Sequence, residues 1–163
     1  MLAFGLYKVP SGSDGLEIIL KAIEAFYRSV DTAAINGNEI ELGKAIKMSA
    51  RLREDIFICS KVWNDAQKKG MIALHQSVKA NLQKFGYGCL GVMYTHWPIP
   101  GYFVGTYKIL QEVRAERLVR IIGISNFGIA EYEEPMSAKG MAAPLKVNEI
   151  TDRRRYDNFK IAA

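Results

Sequence analysis

The sequence predicts an α/β fold in which strand–helix units repeat around a mainly parallel sheet. Two observations carry that expectation. Short, almost continuously apolar runs alternate with longer stretches whose apolar residues return every three or four positions, and the breaks between them hold Gly, Pro, Asn or Ser. The chain has 163 residues, 49% hydrophobic and 24% charged, with mean hydropathy near zero, so one core and a single domain spanning 1–163 are expected.

The elements follow in order. Residues 2–7 read as a short strand, then a turn over Pro10–Ser13, then a helix opened by Asp14 with Glu17 three residues on, carrying Leu16, Ile19, Leu20, Ile23 and Phe26 inward. A second strand covers 29–32, and Asn38 is placed to cap a helix whose Leu42, Ala45 and Ile46 face the core. Residues 56–62 form a third strand. A long helix follows with Met71, Leu74, Val78, Leu82 and Phe85 on one stripe, stopped by Gly86 and Gly88. Residues 89–95 give a fourth strand, 103–117 a helix, 118–124 a fifth strand and 145–150 a sixth. A weaker helix lies between the last two, with Pro135 expected to kink it or mark its start. The pattern fades after Ile150, at about five and a half strand–helix units.

Composition excludes several classes. The opening MLAFGLYKVP has no basic segment ahead of a long apolar run, so no signal peptide is expected. The longest uncharged stretch, 85–107, is broken by Gly and Pro and contains His96, which argues against a membrane span. Cys59 and Cys89 fall in strand-like runs without metal-ligand spacing and are expected to be buried free thiols, in keeping with a cytoplasmic protein. The net charge of +5 is spread among acids apart from Arg153–Arg155, so no nucleic-acid partner is expected. No GxGxxG, GxxxxGK[ST], GxSxG or HExxH occurs.

The polar residues fall in a telling place. Asp31, Lys61, His96, the Ser125–Asn126 pair and the Asn148–Glu149 pair each stand at the carboxyl end of a predicted strand, the edge at which parallel α/β sheets bind ligands. Any one of them alone is better read as a turn or a satisfied structural group. Five on one edge point to a site, in which Asp31 would hold Lys61 charged and His96 would orient or protonate a carbonyl, with Trp97 and Pro98 excluding water. His75, on a helix face, is expected to be structural or exposed.

These residues sit inside recognisable motifs. Asp31-Thr32-Ala33 with Gly37-Asn38-Glu39, Ser60-Lys61-Val62-Trp63-Asn64, Thr95-His96-Trp97-Pro98, Gly123-Ile124-Ser125-Asn126-Phe127 and Val147-Asn148 resemble, in order and spacing, the aldo-keto reductase family. The resemblance covers Phe4 to about Ile150. It implies a (β/α)8 TIM barrel, present here in part as about six strands and five helices, and NADP(H)-dependent reduction of a small carbonyl substrate by hydride transfer. It further implies catalytic roles for Asp31, Lys61 and His96, nicotinamide binding by Ser125, Asn126 and Glu149, and a substrate pocket walled by Trp63 and Trp97.

Four departures qualify the resemblance. The family's proton-donating Tyr is replaced by Asn36, whose amide cannot deliver a proton at neutral pH, so general-acid assistance of roughly 100- to 10,000-fold is expected to be missing. Glu149 stands where the family has Gln, and Gly5-Leu6-Tyr7 replaces the usual Gly-Thr. The sequence also reads as carboxyl-terminally truncated, without the family's cofactor-clamping and substrate-selecting tail, and self-association through open barrel edges is expected. Two functional expectations result: a carbonyl reductase, or a catalytically silent relative acting as a dimer or partner-binding module.

Overall fold

The fold is described from a computed structural model of the chain, covering residues 2–138 and 148–149. Six strands, β1 (Ala3–Gly5), β2 (Ser29–Asp31), β3 (Phe57–Val62), β4 (Leu90–Thr95), β5 (Val119–Ser125) and β6 (Asn148–Glu149), form one sheet in sequential order. Every neighbouring pair is parallel. Sequential order with right-handed crossovers leaves every connecting helix on the same face, which curls the sheet toward a barrel rather than a doubly wound layer. The described part of the chain is thus a segment of a (β/α)8 barrel.

The helices are α1 (Ser13–Glu24), α2 (Glu39–Met48), α3 (Asn64–Lys68), α4 (Met71–Phe85), α5 (Phe103–Ala115) and α6 (Ile129–Ser137). The expected five become six because α3, only five residues long, offers no periodicity to read. The proposed sixth strand over 145–150 lies outside the described residues except at 148–149. Backbone position 135 lies inside α6, in its last turn, and does not set its start.

Strand alternation divides the core in two. Val30, Ile58, Val62, Met93, Ile122 and Ile124 turn outward into the main apolar cluster with Ile19, Ile23, Leu42, Leu82, Phe85 and Leu110 from the helices. The residues between them face the barrel interior, where Cys59, Val92 and Tyr94 make a second, small cluster. Cys59 is buried as expected, whereas Cys89 falls just before β4 and is only half-buried.

Four local expectations are corrected. The helix expected to open at Asp14 starts at Ser13 after Gly12, whose N–H donates to Glu41 Oε1 at 2.9 Å; Glu17 pairs with Lys21 at 2.6 Å instead of closing a capping box. Phe26 is not on the inward stripe but 75% exposed. It takes a left-handed conformation (φ 69°) just past α1, donating its N–H to Ile23 O while Tyr27 donates to Ala22 O, the pairing of a Schellman turn. Asn38 occupies the N-cap of α2, yet its side chain makes no capping bond. Met71, placed on the inward stripe, is 52% exposed at the first position of α4.

Candidate active site

The candidate site lies along the carboxyl ends of β2 to β6. Asp31 ends β2, Lys61 is the penultimate residue of β3, His96 follows β4, Ser125 ends β5, and Glu149 lies on β6. The parallel register sets Asp31 opposite Cys59, Lys61 opposite Tyr94 and Ser125 opposite Glu149, so these side chains share the interior face.

Lys61 is the centre. Its side chain is 4% exposed, and its Nζ donates to Asp31 Oδ1 and Oδ2 at 2.6 and 2.7 Å, to the Thr32 carbonyl at 3.1 Å, and pairs with Glu149 Oε1 at 3.0 Å. Three N–H groups thus face four acceptor oxygens on three residues. Burial, working against the Lys61 charge, raises the Asp31 carboxyl above its ordinary pKa. Glu149 is raised as well, by burial first and then by the negative charge of Asp31.

His96 faces this cluster. Burial, helped by the positive charge of Lys61, lowers its pKa to about 4, so the ring is neutral at physiological pH. Its Nδ1 is buried and has no hydrogen-bond partner among the described residues. Trp63 meets the ring edge-on with centroids 5.0 Å apart, and Trp97 stacks at 6.3 Å. Both tryptophans are half-buried, so they wall the same mouth that His96 opens onto.

Ser125 and Asn126 brace the lip. Asn126 Nδ2 donates to Ser125 Oγ at 3.0 Å and to the His96 carbonyl at 3.1 Å, and Asn126 N–H donates to the Glu149 carbonyl at 2.8 Å. These bonds tie β4, β5 and β6 together around a residue held at φ 61°. The Ser125 hydroxyl and the Asn126 amide at this lip form a donor and acceptor set that suits a carboxamide-bearing ring such as nicotinamide.

Asn36 ends a short 3-10 turn over Ala34–Asn36, and its Nδ2 donates to Thr32 Oγ1 at 3.3 Å. It lies close to the cluster through Thr32, but as an amide. His75 pairs with Glu116 at 2.8 Å, away from the strand ends. The side chain of Asn148 lies outside the described residues.

Two residues the sequence reading missed support the site. The Asn38 amide accepts from Thr32 Oγ1 at 2.9 Å and donates to the carbonyls of Leu6 and Val9 at 3.0 and 2.9 Å, fully buried. It therefore fastens the exit of β1 to the loop carrying Asp31 and Thr32. Gln67 on α3 donates to the Trp97 carbonyl at 3.1 Å and accepts from Thr106 Oγ1 at 3.3 Å, holding the tryptophan loop to α5. The Asn38 signal was visible but pointed to the commoner role of a helix cap; Gln67 gave none.

Comparison with known proteins agrees with this geometry. A family model described as Aldo/keto reductase family matches residues 1–153. The chain is 36% identical over 151 residues to a protein named putative methylglyoxal reductase DkgA from Salmonella typhi, covering 91% of this chain and 52% of that protein. It is also 36% identical over 130 residues to the glyoxal reductase of Bacillus subtilis (strain 168), covering 80% of this chain and 46% of that one. Among solved structures, an aldo/keto reductase from Brucella melitensis superposes with a TM-score of 0.84 at 32% identity over 91% of this chain and 57% of that chain. A Gox0644 variant solved in complex with NADPH gives 0.80 at 31% identity, over 90% and 51%.

The chain belongs to the aldo/keto reductase family, a family of oxidoreductases built on the (β/α)8 barrel. It spans about half the length of the curated relatives it matches. Among the described residues no helix is long and apolar enough to cross a membrane.

Proposed function

We propose that this chain carries the carbonyl-reducing site of an NADP(H)-dependent reductase acting on small aldehydes and ketones, with 2-oxoaldehydes such as methylglyoxal as the first substrates to try. The observation that carries the reading is the convergence of buried Lys61, its carboxylate partners and a neutral His96 between two tryptophans at one strand edge. The names of the relatives, methylglyoxal and glyoxal reductases, supply the substrate class.

In this reading Ser125 and Asn126 hold the carboxamide end of the nicotinamide, which when bound supplies hydride. Neutral His96 presents a ring N–H to the substrate oxygen and sets its orientation. Trp63 and Trp97 exclude water from the carbonyl and favour small, flat substrates. Lys61, saturated by its own partners, gives the mouth a fixed positive charge under the developing alkoxide.

The test is an NADPH titration of the chain ending at Ala163, followed by nicotinamide fluorescence and then by methylglyoxal-dependent oxidation of the cofactor. Saturable binding at micromolar affinity, roughly 8 kcal/mol, is expected. Absence of binding would refute the reading. A second reading, a silent relative that works by association through its sheet edges, is favoured by Asn36, which places an amide where the family has its acid. Binding without turnover, with a dimer on light scattering, would select it.

A further inference from the structure

Among the described residues the mouth contains one buried cation and two carboxylates. Asp31 grips Lys61 with both oxygens at 2.6 and 2.7 Å, while Glu149 touches it through Oε1 alone at 3.0 Å. The side chains of Asp31 and Glu149 are 28% and 29% exposed, that of Lys61 only 4%, so the carboxyls form the wet rim and the ammonium lies beneath. The groups facing the pair are Cys59 beside Lys61 on β3, Tyr94 and His96 on or after β4, and the Ser125 hydroxyl on β5. None of these carries a positive charge, so among the described residues Lys61 is the cation of the cluster.

One positive charge cannot balance two ionised carboxylates taken partly out of water, and the usual resolution is a retained proton. The tighter, two-oxygen contact keeps Asp31 ionised and leaves the proton on Glu149. The other candidate donors fail on geometry or chemistry. His96 is a neutral imidazole that can hydrogen-bond but not release its proton, Lys61 has no N–H left over, Asn36 is an amide, and Tyr94 is 7% exposed in the interior cluster.

We propose that Glu149 is the proton donor of the site, replacing the phenol absent at Asn36. The proposal rests on the carbonyl-reductase reading. In the step, hydride from a reduced nicotinamide dinucleotide adds to the carbonyl carbon and the C=O π pair moves to oxygen. The Glu149 O–H bond breaks as the alcohol O–H forms, and the new carboxylate is held by Lys61 until solvent reprotonates it. Burial raises the pKa of both carboxyls, which keeps that proton available.

The test has two arms that fail separately. In the first, infrared titration of the chain with carboxyl-labelled [13C]glutamate reads the protonated carboxyl stretch without cofactor. The expected result is an isotope-shifted protonated carboxyl that persists at pH values where exposed glutamates are ionised. It should vanish in Glu149→Gln, and also in Asp31→Asn, where Lys61 and Glu149 become a balanced pair. No such band, or one unaltered by Glu149→Gln, overturns the proposal even if the chain never turns over.

The second arm measures methylglyoxal reduction against pH. Glu149→Gln should lower kcat by a hundredfold or more with KM changed only a few-fold, and should abolish the decline in kcat as the wild-type acid ionises. Glu149→Asp should recover part of the rate. Undiminished turnover in Glu149→Gln overturns the proposal while leaving the reductase reading intact; no turnover in the wild type sinks the reductase reading and leaves the infrared arm to decide where the proton sits.

Discussion

Two helical glycines, Gly43 within α2 and Gly105 in the first turn of α5, should respond to alanine with opposite signs. A Cβ built on Gly43 of α2 would lie 2.3 Å from the Phe85 carbonyl oxygen, 2.9 Å from its carbon and 3.2 Å from its Cα, all backbone atoms at the end of α4. An ordinary C···O contact is about 3.3 Å, so α2 and α4 must separate by about 1 Å at their crossing, and overpacking of that kind costs about 1–3 kcal/mol. Alanine's better helix propensity returns at most about 1 kcal/mol. The clash wins, because Phe85 is fully buried and the Gly86 turn behind it already donates to Leu82 and Gln83.

A Cβ on Gly105 of α5 meets nothing within 4 Å, so the propensity gain stands alone there. Urea denaturation should show Gly43→Ala destabilised by about 1–2 kcal/mol, a fall in Tm of about 3–8 °C for a chain of this size, and Gly105→Ala stabilised by up to about 1 kcal/mol. Equal shifts in the two variants, or a stabilised Gly43→Ala, would show that the approach of α2 to α4 is not the close contact described.

Three other perturbations are informative. Asn38→Asp loses both donor bonds and sets a carboxylate against the Leu6 and Val9 carbonyls, so it should cost about 3 kcal/mol in unfolding free energy by urea denaturation; a neutral effect would show that the tether to those carbonyls does not hold the fold. Phe26→Gly should stabilise by about 1 kcal/mol, since a left-handed residue needs no Cβ, unless the ring's contact with the Arg28 guanidinium at 5.6 Å outweighs the strain. His96 binds its proton less readily folded (about 4) than unfolded, so its contribution to stability is present above pH 6.5 and lost as pH falls toward 4. His96→Asn should flatten that loss between pH 6.5 and 4, read from urea midpoints, whereas an unaltered profile would mean the ring titrates normally.

How much of this was legible follows from what a side chain's position alone can say. The buried strands and the inward stripes of α2 and α4 were readable because Leu42, Ala45, Ile46, Leu74, Val78, Leu82 and Phe85 obey the helical period that burial imposes. Asp31, Lys61 and His96 were readable because parallel strands present their carboxyl ends together. Phe26 misled because the Schellman turn swings it off the stripe two residues beyond the helix. Asn38 misled because a cap and a tertiary tether use the same residue at the same place, and only its partners, 29 and 32 positions away, distinguish them. The Glu149 contact with Lys61 joins residues 88 apart in sequence and depends on β6 closing beside β5, which no local pattern encodes.

The charged cluster is not what holds the fold together. Its apolar core lies on the outward face, between the sheet and the helices, while Asp31, Lys61 and Glu149 occupy the interior rim. Desolvating an ion pair costs more than its attraction returns unless the geometry is excellent, and here two carboxyls compete for one ammonium. Removing Lys61 alone should therefore be severe, because two carboxyls would be left facing each other. Replacing all three together, Asp31→Leu, Lys61→Met and Glu149→Leu, should leave stability unchanged or raise it by about 1–4 kcal/mol, as found for other buried ionic sets exchanged for apolar residues of similar volume. The comparison is made by urea denaturation at neutral pH. If the triple variant is as unstable as Lys61→Met, the cluster is structural; if it is stable, the cluster opposes folding and its presence is explained by the chemistry at the mouth.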